Sequence, residues 1–445
     1  MTDTFVIAGA GFAGAKAAEA LREEGFDGRI VLIGAEHDRP YERPPLSKDY
    51  LRGDVERETI YVHPEGFYVE HDVELQAGRR AVGLDLARRE LVLDDGESLR
   101  YDRLLLATGA EPRRLSISGS ELDGVLYLRS VTDCDALRER LDRGGSLVVV
   151  GAGWIGSEVA ACARTRGLDV TVLDPQTVPL ERVLGHEVGA AYRDIHLDHG
   201  VRMRPGTAVA AFEGVDSVER VRTSAGDTID CDFVVVGVGV RPCIELAERA
   251  GIAVGDGILV DERLETSVPG VFAAGDVAAA QHPFYGERIR VEHWANALEQ
   301  GPVAARNMLG RAEPYARLPY FFSDQYDTGM EYAGFARTWD RVVFRGDPAT
   351  REFIAFWLTG DRVVAGMNFN VWDVSETIGQ LIRSVGKCRA EVAQLPLSLR
   401  GAQSSQRPIV WTGTLKRVQV PEHDSESNDP AMVEIEITTD IPPTT

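Results

Sequence analysis

The sequence predicts an α/β protein made of two similar strand–turn–helix–strand units followed by a smaller α+β region. Three observations carry that expectation. The stretch "FVIAGAGFAGAKAAEALREEGFDGRIVLIGAE", Phe5 to Glu36, sets a glycine-rich turn between an apolar strand and a helix, then ends a second strand beside an acid. The stretch "SLVVVGAGWIGSEVAACARTRGLDVTVLD", Ser146 to Asp174, repeats the device. Beyond residue 320 the runs "MEYAGFA", "DRVVFRG", "EFIAFWLTG" and "RVVAGMNFNV" read as strands separated by turns, and "VSETIGQLIRSVG" reads as a helix.

In the first unit each glycine has its own task. Gly9 permits the tight turn, Gly11 lets the backbone approach a pyrophosphate, and Gly14 lets the helix pack close to the strand. The helix N-terminus then presents free N–H groups and a positive dipole to the phosphates. Glu36 follows the last glycine by about 20 residues, where a carboxylate can accept from ribose hydroxyls. In the second unit Gly151, Gly153 and Gly156 repeat the turn and Asp174 closes the strand. One such turn is weak evidence, but two complete copies predict two Rossmann-like dinucleotide-binding domains. Asp174 would repel a 2′-phosphate, which favours NADH over NADPH at the second site.

Composition limits the rest. The 445 residues carry a net charge of −22, which disfavours nonspecific binding to nucleic acid or to anionic membranes. The five cysteines, Cys134, Cys162, Cys231, Cys243 and Cys388, form no CxxC or CxxxxC pair. A short-spaced redox disulfide, a zinc knuckle and an iron–sulfur ligand set are therefore not expected, and no metal site is. The N-terminus enters a strand without a basic leader, and no apolar run approaches the length of a membrane span, so a cytoplasmic protein is expected.

Further segments punctuate the chain. "YERPPLSKD", Tyr41 to Asp49, has adjacent prolines between Arg43 and Lys48 and reads as a stiff, non-helical strap. "DRLLLATGAEPR" ends a strand in Thr108 and Gly109; "DFVVVGVGVRP" does so at Gly239. "VPGVFAAGDVA" places Gly275 and Asp276 after a third. Glycine at these ends lets backbone pass close to a ligand.

The order GAGFAG, RPPLSK, ATG, GAGWIG, GVGVRP, AAGD resembles the two-dinucleotide flavoprotein reductases. Within them it resembles the FAD-dependent ferredoxin and rubredoxin reductases of oxygenase systems, with similarity also to apoptosis-inducing factor and monodehydroascorbate reductase, over residues 4–400. The resemblance implies a strap that grips FAD, with Arg43 by its adenine end and Lys48 beside the isoalloxazine. It implies FAD contacts at Arg129, Asp276 and Trp294, and Glu158 near the nicotinamide. Ala13, Val82 and Ile155 join the cofactor-binding set, and Lys48, Glu158, Trp294 and Phe322 the catalytic one. The family's Phe-Trp-Ser-Asp-Gln is "FFSDQ" here, so Phe322 stands where a tryptophan faces the electron acceptor.

The same resemblance implies an FAD-binding domain at 1–110 and 240–320, an NAD-binding domain at 111–239, and a C-terminal α+β domain at 321–400. An acidic extension, 401–445, follows, either a frayed tail or a docked hairpin. The activity implied is electron transfer from NADH through FAD to a small iron–sulfur ferredoxin, by a monomer or homodimer. An NADH oxidase or quinone-type reductase, or a redox-sensing FAD/NADH-binding protein, are the alternatives. Arg306, Arg311, Arg383, Lys387 and Arg389 are candidate cations for docking an acidic ferredoxin.

Overall fold

Strand Thr4–Ala8 pairs in parallel with Arg29–Gly34 on one side and Arg103–Leu106 on the other. Val73–Ala77 and Val271–Ala273 complete a five-stranded parallel sheet whose first strand is central. The chain thus leaves this sheet after Leu106 and returns to it more than 160 residues later, which places the glycine turn after Ala8 beside the end of Val271–Ala273. The central strands are apolar on both faces, as a parallel sheet covered on both sides requires. The computed structural model describes residues 3–384. Cys388, Lys387, Arg389 and the two runs expected as strands beyond residue 402 lie outside the described residues.

Helix Phe12–Glu23 covers one face with a stripe of small residues, Ala13, Ala17, Ala18 and Ala20. Those alanines admit helix Trp294–Met308 at very short range: a Cβ on Gly301 would lie 2.4 Å from the Ala13 carbonyl oxygen. A second parallel sheet repeats the plan in the order Arg202–Pro205, Asp169–Asp174, Ser146–Val150, Phe233–Val236, Val125–Leu126. The two connections between the parallel sheets, Ala110–Pro112 and Val240–Pro242, pair with each other as an antiparallel ribbon. Gly109 and Gly239, at φ +69° and +96°, each stand just before one arm of the ribbon.

The third sheet is antiparallel, in the order Tyr320–Gln325, Thr328–Gly334, Arg362–Phe369, Glu352–Thr359, Arg341–Asp347. Helix Ser375–Arg383 packs on it through Ile378 and Ile382. The fold class is therefore the expected one: two Rossmann-like α/β units and a C-terminal α+β unit. Trp357 is wholly buried and donates from Nε1 to the Leu184 carbonyl at 3.0 Å, tying this sheet to helix Glu181–Asp198.

The strap departs from expectation. Pro44–Ser47 forms a 3₁₀ turn that runs into helix Asp49–Arg52. Arg43, which the following proline should hold extended, lies at φ −83°, ψ −28°. The reason is positional. The first residues of a helical turn have no intrahelical use for their N–H groups, so two prolines there cost nothing, and Leu46 N–H still closes on the Arg43 carbonyl at 3.0 Å. The strap is stiff, but it is helical.

Candidate active site

The two glycine turns fix the site's walls. Gly9 has φ +127°, and a Cβ there would lie 2.1 Å from the Ala107 carbonyl oxygen; on Gly14 it would lie 2.0 Å from that of Gly9. Gly151 and Gly156 repeat this, with 2.4 Å to Gly237 O and 1.9 Å to Gly151 O. Gly11 and Gly153 differ: a Cβ on either would meet nothing within 4 Å. Their open space is where a ligand's phosphates can reach the backbone. Gly14→Ala is accordingly expected to destabilise the fold by about 1–3 kcal/mol or more through backbone overlap. Gly11→Ala, at an extended φ of −82°, is expected to fold normally and lose dinucleotide. Chemical denaturation beside flavin extraction separates them, and equal behaviour of the two variants would contradict this division of roles.

One cleft of about 850 Å³ runs between these turns, within the range of small-molecule and cofactor sites. It gathers Gly9, Gly11, Ala13, Glu36, Arg43, Lys48, Val82, Thr108, Gly109, Arg129, Gly275, Asp276, Trp294 and Phe322. From the second unit it takes Gly153, Ile155, Glu158 and Gly239. Gly14, Gly151 and Gly156 lie behind its walls as packing glycines. Asp174 is also outside it, beside a separate small cavity with Ala152 and Gln176. There its carboxylate accepts from Ala152 N at 2.6 Å and Gln176 N at 2.7 Å, so it is fixed at the strand's end.

At one end of the cleft Glu36 accepts from Arg43 at 2.7 Å and from the Tyr41 hydroxyl. Burial pushes the Tyr41 phenol well above its usual range, so Tyr41 remains a donor. In the middle, Arg129 meets Asp276 at 2.8 Å, and the Arg129 Nε is buried with no partner in the protein.

The far end holds the feature with the greatest chemical consequence. Lys48 Nζ lies 2.7 Å from Glu158 Oε1, and the two side chains are only 9% and 4% exposed. The 3₁₀ turn aims Lys48 inward; the first turns of helix Trp154–Thr165, just past the second glycine turn, carry Glu158. The cation at the strap's end is therefore not alone, as the sequence implied, but neutralised by an anion 110 residues away. Ser47 donates to the second Glu158 oxygen, and Ser323 donates to the first at 2.7 Å.

Aromatic rings close the mouth. Lys48 Nζ lies 5.6 Å from the centre of the Phe322 ring. Trp294 stacks on Phe12 at 5.3 Å, meets Phe322 edge-on at 6.3 Å, and donates from Nε1 to Glu42 at 3.0 Å. Burial raises the carboxyls of Glu42 and Glu292 and pushes His293 down to about 4, so a neutral His293 ring stacks on Phe321 at 4.3 Å. Trp294 opens helix Trp294–Met308, whose N-terminus has no side-chain cap.

Sequence reasoning missed Ser47, Ser323, Glu42 and His293. A signal existed for Ser323: Phe321, Ser323 and Gln325 share the buried face of one strand, and a polar residue at such a position needs a polar partner. The proposed docking cations fare differently. Arg306 pairs with Glu313 about 18 Å along the helix from Trp294, and Arg311, three residues beyond the end of that helix, pairs with Glu24. Arg383 lies over the Phe284 ring at 5.8 Å.

Among the described residues no cluster of His, Cys, Asp or Glu could hold a metal, and no helix is long and apolar enough to cross a membrane. Cys134, Cys162, Cys231 and Cys243 are free, and burial pushes the thiols of the first three up to about 12.

Comparison with known proteins gives two family matches: "Pyridine nucleotide-disulphide oxidoreductase" over residues 3–301 and "Reductase C-terminal" over residues 320–398. The chain is 42% identical to the anthranilate 1,2-dioxygenase system ferredoxin–NAD(+) reductase component of Burkholderia cepacia, over 83% of this chain and 91% of that one. It is 39% identical to rhodocoxin reductase of Rhodococcus erythropolis, over 82% and 86%. Among solved structures it resembles the covalent putidaredoxin reductase–putidaredoxin complex, with a TM-score of 0.81 and 36% identity over 85% of this chain and 91% of that chain.

Proposed function

The chain belongs to the pyridine nucleotide-disulphide oxidoreductases and carries their reductase C-terminal region, and from that premise we propose that it moves electrons from NADH through FAD to a small iron–sulfur ferredoxin. The observation that carries this reading is the single cleft joining both glycine turns, with a buried Lys48–Glu158 pair where the two units meet. The named relatives are reductases, one of them for a ferredoxin, and one solved relative is joined to its redox partner.

The residues present fit two dinucleotides. Gly11 and Gly153 leave open space at the N-termini of their helices, and the unpartnered Arg129 Nε awaits an acceptor. Residues 1–110 with 240–320 would hold FAD, 111–239 would hold NADH, and 321–400 would cover the site. Bound FAD supplies the conversion of a hydride into single electrons, which no side chain of this cleft can perform. Glu36 accepts from the adenosine ribose, and Arg43 holds Glu36 in place. Arg129 and Asp276 bind and orient the middle of the cofactor. Lys48 faces the redox-active end with a positive charge that its partner tempers. Trp294 and Phe322 exclude water there. The short-spaced cysteine pair of a disulfide reductase is absent from the sequence, so electrons leave this site without a thiol relay.

Direct transfer to oxygen or a quinone is the second reading, favoured by Phe322 at the position where the resembled family's motif has a tryptophan. Phe322→Trp restores an indole beside Trp294. It is expected to speed delivery to ferredoxin several-fold while leaving reduction by NADH unchanged, in stopped-flow measurements of the two half-reactions. A variant that alters only the NADH step would remove position 322 from the exit route.

A further inference from the structure

Beneath the cleft a file of buried polar side chains leads away from Glu158. Ser323, Gln325 and His196 are 2%, 2% and 1% exposed. Ser323 Oγ donates to Glu158 Oε1 at 2.7 Å, and Gln325 Nε2 donates to Ser323 Oγ at 3.4 Å. His196 Nδ1 lies 3.0 Å from the Tyr326 hydroxyl. Two buried atoms remain without a protein partner of good geometry, His196 Nε2 and Gln325 Oε1, and these belong to neighbouring side chains.

One proton arrangement satisfies the whole file. Glu158 accepts from Lys48, Ser47 and Ser323, so the single Ser323 proton is committed. Ser323 Oγ must then accept from an N–H of Gln325, which turns Gln325 Oε1 toward His196. His196 must therefore carry its proton on Nε2, leaving Nδ1 to accept from Tyr326. Every donor points toward Glu158. The groups facing His196 are Tyr326 and His199, with Arg164 and Cys162 alongside Tyr326; His199 stacks on the Tyr326 ring at 3.6 Å. Burial, aided by His199, pushes His196 down to about 4, so it stays neutral and keeps one tautomer.

We propose that Ser323, Gln325 and His196 are positioning residues for Glu158: an oriented hydrogen-bond chain, set by the His196 tautomer, that fixes the carboxylate against Lys48 at the cleft. The inference rests on the reading of that cleft as the site of hydride transfer. It also links the third sheet and helix Glu181–Asp198 to the reacting end of the cleft, since the chain's members come from both.

The test uses the FAD-loaded protein and its Ser323→Ala, Ser323→Thr and Gln325→Leu variants. Imidazole ¹⁵N shifts report the His196 tautomer, and stopped-flow mixing reports reduction by NADH. The wild type is expected to show the Nε2–H tautomer at neutral pH, and Gln325→Leu to lose it. Ser323→Ala and Gln325→Leu are expected to slow reduction about 3- to 10-fold at unchanged NADH affinity, the scale of one lost hydrogen bond. Ser323→Thr, which keeps the hydroxyl, is expected to stay within about twofold. An Nδ1–H tautomer in the wild type, or Ser323→Ala reduced as fast as wild type, would overturn the proposal. If NADH reduces none of these proteins, the reading of the cleft fails, while the tautomer in the same samples still decides whether the chain exists.

Discussion

Lys48→Met is expected to destabilise the folded protein by about 3–5 kcal/mol, because it leaves the Glu158 carboxylate buried without its counter-ion. Both side chains are almost fully enclosed, so solvent screening offers little relief. The Ser47 and Ser323 hydroxyls still donate to Glu158 and place the expected loss toward the lower end of that range. A double variant, Lys48→Met with Glu158→Gln, removes both charges and is expected to recover most of the stability. The redox consequence follows the same logic. With Lys48 gone the remaining anion disfavours the reduced, anionic flavin, and the midpoint potential is expected to fall by roughly 20–40 mV for a loss of 1–2 kcal/mol. In the double variant the potential is expected to return close to the wild-type value, since the pair it replaces was already nearly neutral. Chemical denaturation and a dye-equilibrated redox titration measure the two effects. A single variant with unchanged potential would place Lys48 away from the flavin.

Discrimination between the two nicotinamide dinucleotides is expected to be comparably large. Asp174 is held at the end of strand Asp169–Asp174 by two backbone N–H groups, so it cannot turn away from an incoming 2′-phosphate without giving up both. A clash of that kind is expected to cost about 2–3 kcal/mol, or roughly 30- to 150-fold in the rate of reduction at low substrate. Asp174→Ala is expected to narrow the gap chiefly by improving NADPH. Equal rates for NADH and NADPH in the wild type would contradict the assignment, whatever the variant did.

The parts of this protein legible in its sequence are those governed by local rules. Gly9, Gly11 and Gly14 lie at one strand–turn–helix junction, and their distinct steric surroundings follow from the geometry that their spacing encodes. The runs of the third sheet are apolar stretches bounded by turn residues, and the structure sets them in one antiparallel sheet. Illegible parts depend on what meets what across the fold. Nothing near Lys48 announces Glu158, which arrives from another helix 110 residues on. Arg306 and Arg311 look like free cations along the chain, yet Glu313 and Glu24 are folded against them. The prolines of the strap mislead for a different reason: the rule that keeps the residue before proline extended yields where that residue opens a 3₁₀ turn. Ser323 and Gln325 follow Phe322 on the strand's other face, and their buried register marks them as members of a polar network.

The most direct test of the proposed electron path is an anaerobic double-mixing experiment on the purified protein. NADH is mixed first, the flavin absorbance is followed, and an oxidised iron–sulfur ferredoxin is added second. The expected result is a yellow protein with about one FAD per chain, bleached rapidly by NADH and reoxidised by ferredoxin much faster than by oxygen alone. A folded protein that retains no flavin, or a bleached flavin that ferredoxin fails to reoxidise faster than oxygen does, would contradict it.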